Sequence, residues 1–382
     1  MPQLTPIDTA LEQLLSSLSQ VEETERLPLD DACNRVLAED VHAGINVPGL
    51  DNSAMDGYAI AFQSLQSNSQ ALRVSQRIPA GTIGQELEPG TAARIFTGAA
   101  LPPGADTVVI QENCERDGDY VRVLQAPSLG ENVRKAGSDV SEGSLLFAAG
   151  HSLRAPDIGL LAAVGTQSVL LKRRLKVAIL TTGDELARLG QPLQPGQIYN
   201  SNFYTLAAML KGLGCEVLDC GVVADTLEAT EKALLHAAEN SDCIISSGGV
   251  SAGEEDHVRH ALERIGTLSL WKLAIKPGKP FAFGQIGSKP FFGLPGNPVS
   301  AFVTFALLVR PSLITMSGAA LAMAPPIQWP VNFDLAQNGE RQEYMRVVLK
   351  TNADGQPVMH AAGSQSSGVL SAVSRADGLA VV

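Results

Sequence analysis

Strand-like and helix-like segments alternate between residues 174 and 318, and this alternation constrains the fold more than any other feature of the sequence. Apolar runs at Lys176–Leu180, Glu216–Val223 and Cys243–Ser246 each end in a turn, and helix-like segments follow them along the chain. This order is typical of a mostly parallel sheet with helices on both faces. We therefore predict a central three-layer α/β/α domain.

The segments on either side of this domain have other patterns. Short β-like runs alternate with Pro/Gly turns in the preceding segment, which predicts a small, mostly β domain inserted between helical segments. We expect a helix that begins at Pro6, with Thr5 as its cap, to pack against a helix that begins near Pro156, and we expect a further helix over Asp31–Ala38. The predicted domains are a discontinuous helical and extended linker domain at 1–45 and 140–173, the inserted β-rich domain at 46–139, the α/β domain at 174–318 and a small C-terminal β domain at 325–382.

The composition excludes several classes of protein. The chain of 382 residues is 45% hydrophobic and 18% charged, which is incompatible with a disordered chain. Its net charge of -12 and its lack of a Lys/Arg run indicate that it binds no nucleic acid. The longest apolar run, Val299–Val309, which we predict as a helix, is shorter than the ~20 residues of a membrane span. No signal-peptide pattern is seen and the cysteines lack CxxC spacing, so we expect a cytoplasmic protein with no membrane partner.

Turns leave the carboxyl ends of the predicted parallel strands, where open α/β sheets bind their ligands. They are Thr181–Glu185, Ala224-Asp225, Ser246–Ser251 and Leu294–Asn297. Glycine-rich turns free backbone N–H groups and serine hydroxyls add donors, so we predict a site for a phosphate-like anion at this edge. Its candidate ligands are Ser247, Gly248, Gly249, Ser251, Pro295, Gly296 and Asn297. The alternative is a set of ordinary strand-to-helix turns, since neither GxGxxG nor a P-loop is present.

Charged side chains accompany these turns. Glu185, Asp225 and Asp256 each follow a predicted strand end, where carboxylates bind Mg²⁺, transfer protons or simply cap helices. Three lysines beside a Gly/Pro turn predict an oxyanion pocket, with an ordinary charged surface as the alternative. They are Lys272, Lys276 and Lys279. We interpret His257 and His260 as part of a solvated helix face rather than a zinc site, because no third ligand is evident.

A set of motifs, in order along most of the chain, resembles the molybdopterin molybdenumtransferase family, which includes the E domains of gephyrin and its plant counterpart. Any one motif would be weak, whereas the whole set is highly specific. The matching segments are Asp51–Tyr58, Ile95–Gly98, Arg134–Asp139, Thr182–Leu186, Ser246–Gly253, Ile275–Pro280 and Leu294–Ser300. The resemblance also implies that the α/β/α domain is of the molybdopterin-binding type.

The resemblance implies a reaction and the residues for it. Members of this family take adenylylated molybdopterin and molybdate, cleave the adenylate with the help of Mg²⁺, release AMP and form the molybdenum cofactor. The implied catalytic residues are Asp56, Thr97, Asp139, Glu185, Asp225 and Asp256, of which Glu185, Asp225 and Asp256 would bind the metal ion. Implied substrate contacts, besides the glycine turns, are Arg134, Lys272 and Lys276, and implied molybdate contacts are Lys279, Ser300, Arg346 and Ser367.

The resemblance further implies an elongated homodimer, whose cleft combines the inserted β domain of one subunit with the α/β domain of the other. A molybdopterin-adenylylating enzyme and downstream molybdoenzyme maturation proteins are the expected partners. Family members continue past a segment like Asp377–Val382 by about another hairpin, so we expect a small or shortened C-terminal domain here.

Two alternative functions remain. The added β domains argue against a molybdopterin adenylyltransferase, and the complete acidic set argues against a non-catalytic molybdopterin-binding scaffold.

Overall fold

The computed structural model describes residues 4–65, 71–249, 257–321, 325–334, 339 and 341–382 of the chain. The N-terminal elements are helix α1 (Ile7–Ser16) and strands β1 (Thr24–Pro28) and β2 (Val41–His42). The insert follows with β3 (Asn52–Ser53), β4 (Gly57–Ile60), β5 (Ala71–Ile78), β6 (Thr91–Ile95), β7 (Thr107–Ile110), β8 (Cys114–Asp117), β9 (Tyr120–Val123) and β10 (Val133–Arg134). The chain then returns to the linker through β11 (Leu145–Phe147), α2 (Ala155–Ala163) and β12 (Ser168–Lys172).

The α/β unit comes next, and its bounds lie close to the predicted ones. Its main elements are β13 (Lys176–Thr182), β14 (Leu186–Ala187), β15 (Ile198–Tyr199), α3 (Ser201–Gly212), β16 (Glu216–Val223), α4 (Leu227–Asn240), β17 (Cys243–Ser247), α5 (His257–Ile265), β18 (Thr267–Lys272), β19 (Ile275–Lys276), β20 (Pro280–Ile286), β21 (Lys289–Leu294), α6 (Pro298–Thr304) and α7 (Arg310–Met316). The C-terminal part contains β22 (Gln342–Thr351), β23 (Pro357–Ala361), α8 (Leu370–Ser374) and β24 (Gly378–Val381).

The central sheet has the strand order β16-β13-β17-β21-β20-β18. Strands β16, β13, β17 and β21 run parallel, and β20 is antiparallel to both of its neighbours. One face packs against apolar side chains of α1, α3 and α6, and the opposite face packs against α4 and α5. The predicted three-layer α/β/α arrangement, with helices covering both faces, is therefore confirmed.

The last helix of this unit continues beyond its predicted end at Val309. A π-helical turn, Phe305–Val309, joins α6 to α7, and Pro311 lies in the first turn of α7. A proline clashes with the carbonyl four residues before it, and a π turn relieves such a clash by widening the helix. The whole span Pro298–Met316 is long and apolar enough to cross a membrane by length and composition, but 67% of it is buried inside the protein. Its apolar character is accounted for by packing in the core.

The N-terminal region differs from the prediction in two ways. Helix α1 packs into the core of the α/β unit, where Leu14 is fully buried, and α2 belongs to a separate hydrophobic cluster with Leu37 and Leu161. The helix predicted over Asp31–Ala38 was wrong. Asn34 adopts a φ of 61°, which a helix does not allow, and Leu37 instead forms a bridge to Leu171 in β12.

The two β domains are built on separate sheets. The insert forms a sheet of order β7-β4-β6-β5-β9-β8, with apolar clusters on both of its faces. In the C-terminal domain, β22 pairs with β23 and β24, and it also pairs with β19 through Ile275↔Gln342 and Lys276↔Glu343. The C-terminal domain is thereby joined to the α/β unit by backbone pairing.

A partly buried ion pair between Arg173 and Asp242 connects the linker domain to the central sheet. Asp242 accepts hydrogen bonds from Arg173 at 2.7 and 2.9 Å and from the backbone N–H of Lys176 at 2.8 Å. Burial acts to raise the pKa of Asp242, but these hydrogen bonds outweigh it and hold the pKa below its ordinary value. The stabilisation is therefore present above the unfolded-state pKa of about 3.9 and is lost as the pH falls toward the folded-state value.

Asp242→Asn is expected to lower the free energy of unfolding by about 2 kcal/mol at pH 7, because a charge-assisted pair is replaced by weaker bonds. The difference between the two proteins should shrink as the pH falls below about 4, because the carboxylate then becomes protonated first in the unfolded wild-type chain and, at lower pH, in the folded protein. Urea denaturation of both proteins at several pH values checks this. A difference that stays constant down to pH 3 would contradict the assigned role of the carboxylate.

Candidate active site

The predicted turns meet at one edge of the central sheet. The register pairs Thr181 with Ser247 and Ser247 with Leu294, so the strands end side by side. The N–H of Gly248 donates to the carbonyl of Leu294 at 3.1 Å. A Cβ built on Gly296 would lie 3.9 Å from the Cα of Gly248. The Gly248 turn and the Gly296 turn are thus in direct contact.

The two glycines at residues 248 and 249 are required by the backbone. Gly248 has a φ of 93° and Gly249 a φ of 67°, in the region that side chains disfavour. A Cβ on Gly249 would lie 2.6 Å from Cγ2 of Val258 and 2.9 Å from Oγ1 of Thr182. The turn therefore combines a left-handed backbone with close packing against its neighbours.

Two asparagines hold these turns in place, and the sequence reasoning missed both. Nδ2 of Asn202 donates to Oγ of Ser247 at 2.7 Å and to the carbonyl of Gly296 at 2.8 Å. Asn200 caps α3 by accepting from the N–H of Phe203, and its Nδ2 donates to Oγ1 of Thr181 at 2.9 Å. An Asn before a helical segment is a recognised N-cap signal, but the contacts of Asn202 come from the tertiary fold.

A cleft of about 310 Å³ lies in front of these turns. Its walls combine the ends of β13, β17 and β21, the start of α3, and two residues of the C-terminal domain, Gly368 and Leu370. The polar groups facing it include Glu185, Asn202 and Ser247. Its volume is within the range of pockets for small ligands.

The carboxylates predicted for the metal site are only partly described. Glu185 lines the cleft, and its Oε2 would lie 2.5 Å from a Cβ on Gly183, so its side chain folds over that turn. Asp225 follows β16 and is exposed, outside the lining of the cleft. Asp256 and Ser251 lie outside the described residues. Within the described ranges, no group of three or more His, Cys, Asp or Glu is placed to hold a metal ion, so this ligand set stays a prediction.

Arg346 is a fully buried cation with an incomplete set of partners. Its side chain lies on the same face of β22 as that of Tyr344, which packs into the core of the α/β unit. Nη1 donates to the carbonyl of Tyr344 at 3.0 Å, whereas Nε and Nη2 have no hydrogen-bond partner in the part of the chain that the structure describes. Burial lowers the pKa of Arg346. An unpaired buried charge is costly, and a bound anion would satisfy it.

Contacts of neighbouring residues connect the segments that carry the other residues predicted to contact molybdate. Gln365 accepts from the N–H of Arg346 at 2.9 Å, and two residues later the carbonyl of Ser367 accepts from the N–H of Val299 at 3.1 Å. The next residue, Ser300, is buried, and its carbonyl would lie 3.7 Å from a Cβ on Gly278. Lys279 follows Gly278 directly. These contacts connect the segments that contain Ser300, Ser367 and Arg346, and the side chain of Lys279 is exposed, so a common molybdate site of the four residues stays a prediction.

The remaining two lysines lie elsewhere. Lys276 forms an ion pair with Glu343 at 3.0 Å, so its charge already has a partner in β22. Lys272 is exposed at the end of β18, which β20 separates from β21 and its turn. Sequence spacing alone did not reveal this separation, because Glu343 is distant along the chain and the strand order is set by the tertiary fold.

The inserted domain contributes a second polar group. Oδ1 of Asp56 accepts from both the N–H and the Oγ1 of Thr97, each at 2.8 Å. These hydrogen bonds, that of the Thr97 N–H first, lower the pKa of Asp56. Nearby, Asp51 pairs with Lys135 at 2.8 Å, and backbone hydrogen bonds join Ser53 to the segment after Thr97. The motifs at 51–58, 95–98 and 134–139 therefore meet on one surface.

Two further predicted residues lie at this surface. Arg134 is exposed and pairs with Asn52 between β10 and β3, and Asp139 is exposed, with its N–H donated to the carbonyl of Val47. Between described residues, no hydrogen bond or ion pair joins this group to the glycine turns of the same chain. No described hydrogen bond or ion pair thus connects the two polar groups within one subunit.

Comparisons with known proteins agree with this architecture. Residues 5–165 match the profile of the MoeA N-terminal region (domain I and II), residues 178–315 match a probable molybdopterin binding domain, and residues 328–382 match the MoeA C-terminal region (domain IV). The molybdopterin molybdenumtransferase of Haemophilus influenzae is 41% identical over 369 residues, which are 96% of this chain and 91% of that relative. The molybdopterin molybdenumtransferase of Nostoc sp. is 38% identical over 393 residues, and the match covers 100% of this chain and 90% of that relative.

A solved structure has the same fold throughout. The crystal structure of the molybdopterin biosynthesis MoeA protein from Pyrococcus horikoshii matches with a TM-score of 0.83 at 29% identity, covering 100% of this chain and 95% of that one. An α/β/α domain with glycine turns at its carboxyl edge, carrying an inserted and a C-terminal β domain, defines a multidomain protein of the molybdopterin-binding class. The identities extend over nearly the whole chain. The chain belongs to the molybdopterin molybdenumtransferase family.

Proposed function

We propose that this protein is a transferase that moves molybdenum from molybdate to adenylylated molybdopterin, cleaves the adenylate and releases AMP. The observation that carries the proposal is the buried Arg346, whose Nε and Nη2 have no hydrogen-bond partner among the described residues. A tetrahedral dianion supplies the acceptors that these donors need. The names of the relatives support the same reaction.

The glycine turns are proposed to hold the phosphate-bearing part of the substrate. The backbone N–H of Gly249, with the hydroxyl of Ser247, supplies donors to phosphate oxygens, whereas the N–H of Gly248 already donates to the carbonyl of Leu294. Pro298 opens α6 directly after Asn297, so the helix N-terminus adds a favourable dipole at the same edge. Asn202 holds Ser247 and Gly296 at a fixed separation.

Molybdate is proposed to bind as a substrate at Lys279, Ser300, Arg346 and Ser367. The planar guanidinium of Arg346 offers two free donor nitrogens in a fixed geometry, which suits two oxygens of one oxyanion. The burial of Arg346 also strengthens its attraction to the dianion, since few water molecules screen it.

Mg²⁺ is proposed to bind together with the substrate phosphates rather than in a cage of protein ligands. Such ions usually take one or two carboxylates and complete their shell with phosphate oxygens and water. Glu185, which lines the cleft, fits this role. When bound, the ion would neutralise charge on the phosphates during cleavage of the adenylate.

EDTA is expected to stop AMP release, and added Mg²⁺ is expected to restore it. AMP release that persists in EDTA would contradict the proposed role of the metal ion.

A homodimer is proposed because no described hydrogen bond or ion pair connects the Asp56–Thr97 group to the glycine turns within one chain. A cleft that contains both groups would need the inserted domain of a second copy. Mixed dimers of Asp56→Asn and Arg346→Met chains should regain activity that neither variant has alone. No recovery of activity at any mixing ratio would argue against a shared site.

We further propose that the protein acts in the cytoplasm, with a molybdopterin-adenylylating enzyme and molybdoenzyme maturation proteins as partners and no nucleic-acid or membrane partner.

AMP release tests the reaction. The purified protein is incubated with adenylylated molybdopterin and Mg²⁺, with or without molybdate, and AMP is measured. We expect AMP release that molybdate promotes. No AMP release, together with formation of the adenylate from ATP and bare molybdopterin, would instead identify an adenylyltransferase. Tight molybdopterin binding with neither reaction would identify a scaffold.

Asn202→Asp is expected to raise KM for adenylylated molybdopterin about tenfold with a smaller change in kcat. A carboxylate can still accept a hydrogen bond from the hydroxyl of Ser247, but it cannot donate to the carbonyl of Gly296, so the two turns lose their shared tether. Steady-state kinetics measure the effect, and Asn240→Asp, at the exposed end of α4, is the control. Equal kinetic constants for Asn202→Asp and the wild type would show that the tether is dispensable.

A further inference from the structure

A second cleft, of about 430 Å³, lies at the opposite edge of the central sheet. Its walls come from the linker around Asn34 and Ser152, from the segment 172–175 that leads into β13, and from the helix end at 310–320. Strand β13 is seven residues long, so roughly 20 Å of sheet separate this cleft from the glycine turns. The cleft is therefore distinct from the candidate active site.

The lining of this cleft is strongly basic. Among the described residues, its basic side chains are Arg35, Arg154, Lys172, Arg173, Arg174 and Arg310, and no Asp or Glu lines it. The protein as a whole carries a net charge of -12. A local concentration of positive charge in an acidic protein attracts anions to one place while the rest of the surface repels them.

Some of these cations have acidic partners and others do not. Arg35 is paired with Glu25, Arg154 with Asp157, and Arg173 with Asp242. Arg174 donates Nη1 only to the carbonyl of Gly214, at 3.1 Å, and neither Lys172 nor Arg310 forms an ion pair with a described residue. Three cationic groups at one cleft are thus without a counter-charge in the described part of the chain.

The cleft also has an apolar wall. Leu175, Leu213, Leu313 and Ile314 line it beside the basic groups. An inorganic ion would leave this wall in contact with water, whereas an organic ligand would cover it. The volume lies within the range of pockets that bind small molecules. A single carboxylate would neutralise one of the three free cations, and a phosphate ester, close to a dianion at neutral pH, would neutralise two.

We propose that this cleft binds a small organic phosphate monoester. The phosphate lies against Lys172, Arg174 and Arg310, where guanidinium groups donate in pairs to its oxygens. The apolar body of the ligand packs on Leu213, Leu313 and Ile314. The ligand contacts both the linker and the α/β unit, so its binding stabilises their association. This site does not depend on the reaction proposed for the glycine turns.

Phenyl phosphate is a suitable probe, because it joins a phosphate to an apolar ring and takes no part in the proposed reaction. Isothermal titration calorimetry on the full chain is expected to show saturable binding at one site per chain. Arg174→Gln and Arg310→Gln should each weaken binding about tenfold, through the loss of charge-assisted hydrogen bonds. Lys232→Gln, at an exposed position on α4, is the matched control and should leave the affinity unchanged.

Three comparisons make the test decisive. Binding that does not saturate, or an affinity that survives both arginine substitutions, would overturn the proposal. Equal affinity for inorganic phosphate would show that the apolar wall does not contribute to binding. Equal affinity for benzoate would show that the cleft does not prefer a dianion. Thermal unfolding of each variant shows whether it is folded. Should Arg174→Gln unfold, Lys172→Gln replaces it, with the same expected loss of affinity.

Discussion

Arg346→Met is expected to make the protein more stable and much less active. The guanidinium of Arg346 is fully buried with two nitrogens unpaired, so an apolar side chain of similar length should raise the free energy of unfolding by about 1–2 kcal/mol. If Arg346 binds molybdate as proposed, the same substitution also removes two charge-assisted hydrogen bonds, each of about 1.5 kcal/mol, which corresponds to a rise in KM for molybdate of about 100-fold.

Opposite effects on stability and activity distinguish a ligand-binding arginine from a structural one. Urea denaturation measures the first effect, and kinetics with varied molybdate measure the second, while KM for adenylylated molybdopterin should change little. Arg346→Lys retains the charge without the planar fork and should be intermediate. Arg375→Met, at an exposed arginine of the same domain, is the control. Loss of stability with an unchanged KM for molybdate would assign Arg346 a structural role.

Gly249→Ala is expected to damage both the fold and the reaction. Alanine at a φ of 67° costs about 1 kcal/mol, and its Cβ would come within 2.6 Å of Val258 and 2.9 Å of Thr182. Overlaps of this kind cost about 1–3 kcal/mol when the neighbours must move. A displacement of about 1 Å in the glycine turn should lower kcat/KM about 100-fold.

The variant Gly118→Ala distinguishes the cost of a left-handed backbone from the cost of steric overlap in Gly249→Ala. Gly118 has a φ of 56° in the β8–β9 turn, and a Cβ there would meet nothing within 4 Å. This control carries the backbone cost alone, so it should lose about 1 kcal/mol of stability and retain full activity. If Gly249→Ala behaved in the same way as Gly118→Ala in both measurements, the close packing of the Gly249 turn would have no functional role.

The helices and strands of the α/β unit could be predicted because the sequence patterns that define them lie within each element. Buried strands such as Cys243–Ser247 are short apolar runs, and the turn that follows Ser247 carries its own glycine signal. Where local and long-range preferences conflict, the prediction was wrong. The segment containing Asn34 has a helical composition, but a positive φ at that residue and a bridge from Leu37 to Leu171 keep it extended.

The candidate site was predictable only in part, for the same reason. The glycine turns are visible in the sequence, and sheet topology then brings them together. The burial of Arg346, the ion pair between Lys276 and Glu343, and the double donation by Asn202 depend on contacts between residues far apart in the chain. No spacing rule reveals such contacts. Lys276, which the sequence presents as part of an oxyanion pocket, is instead paired with a carboxylate.

The central claim is that molybdenum passes from molybdate to the dithiolene of molybdopterin at this site. The most direct measurement uses isotopically labelled molybdate with adenylylated molybdopterin and Mg²⁺, and determines labelled molybdenum in the isolated cofactor together with the AMP released. We expect equal amounts of the two from the wild-type protein and a large loss of both from Arg346→Met at limiting molybdate. AMP release without labelled cofactor, or labelled cofactor formed equally well by Arg346→Met, would contradict this account.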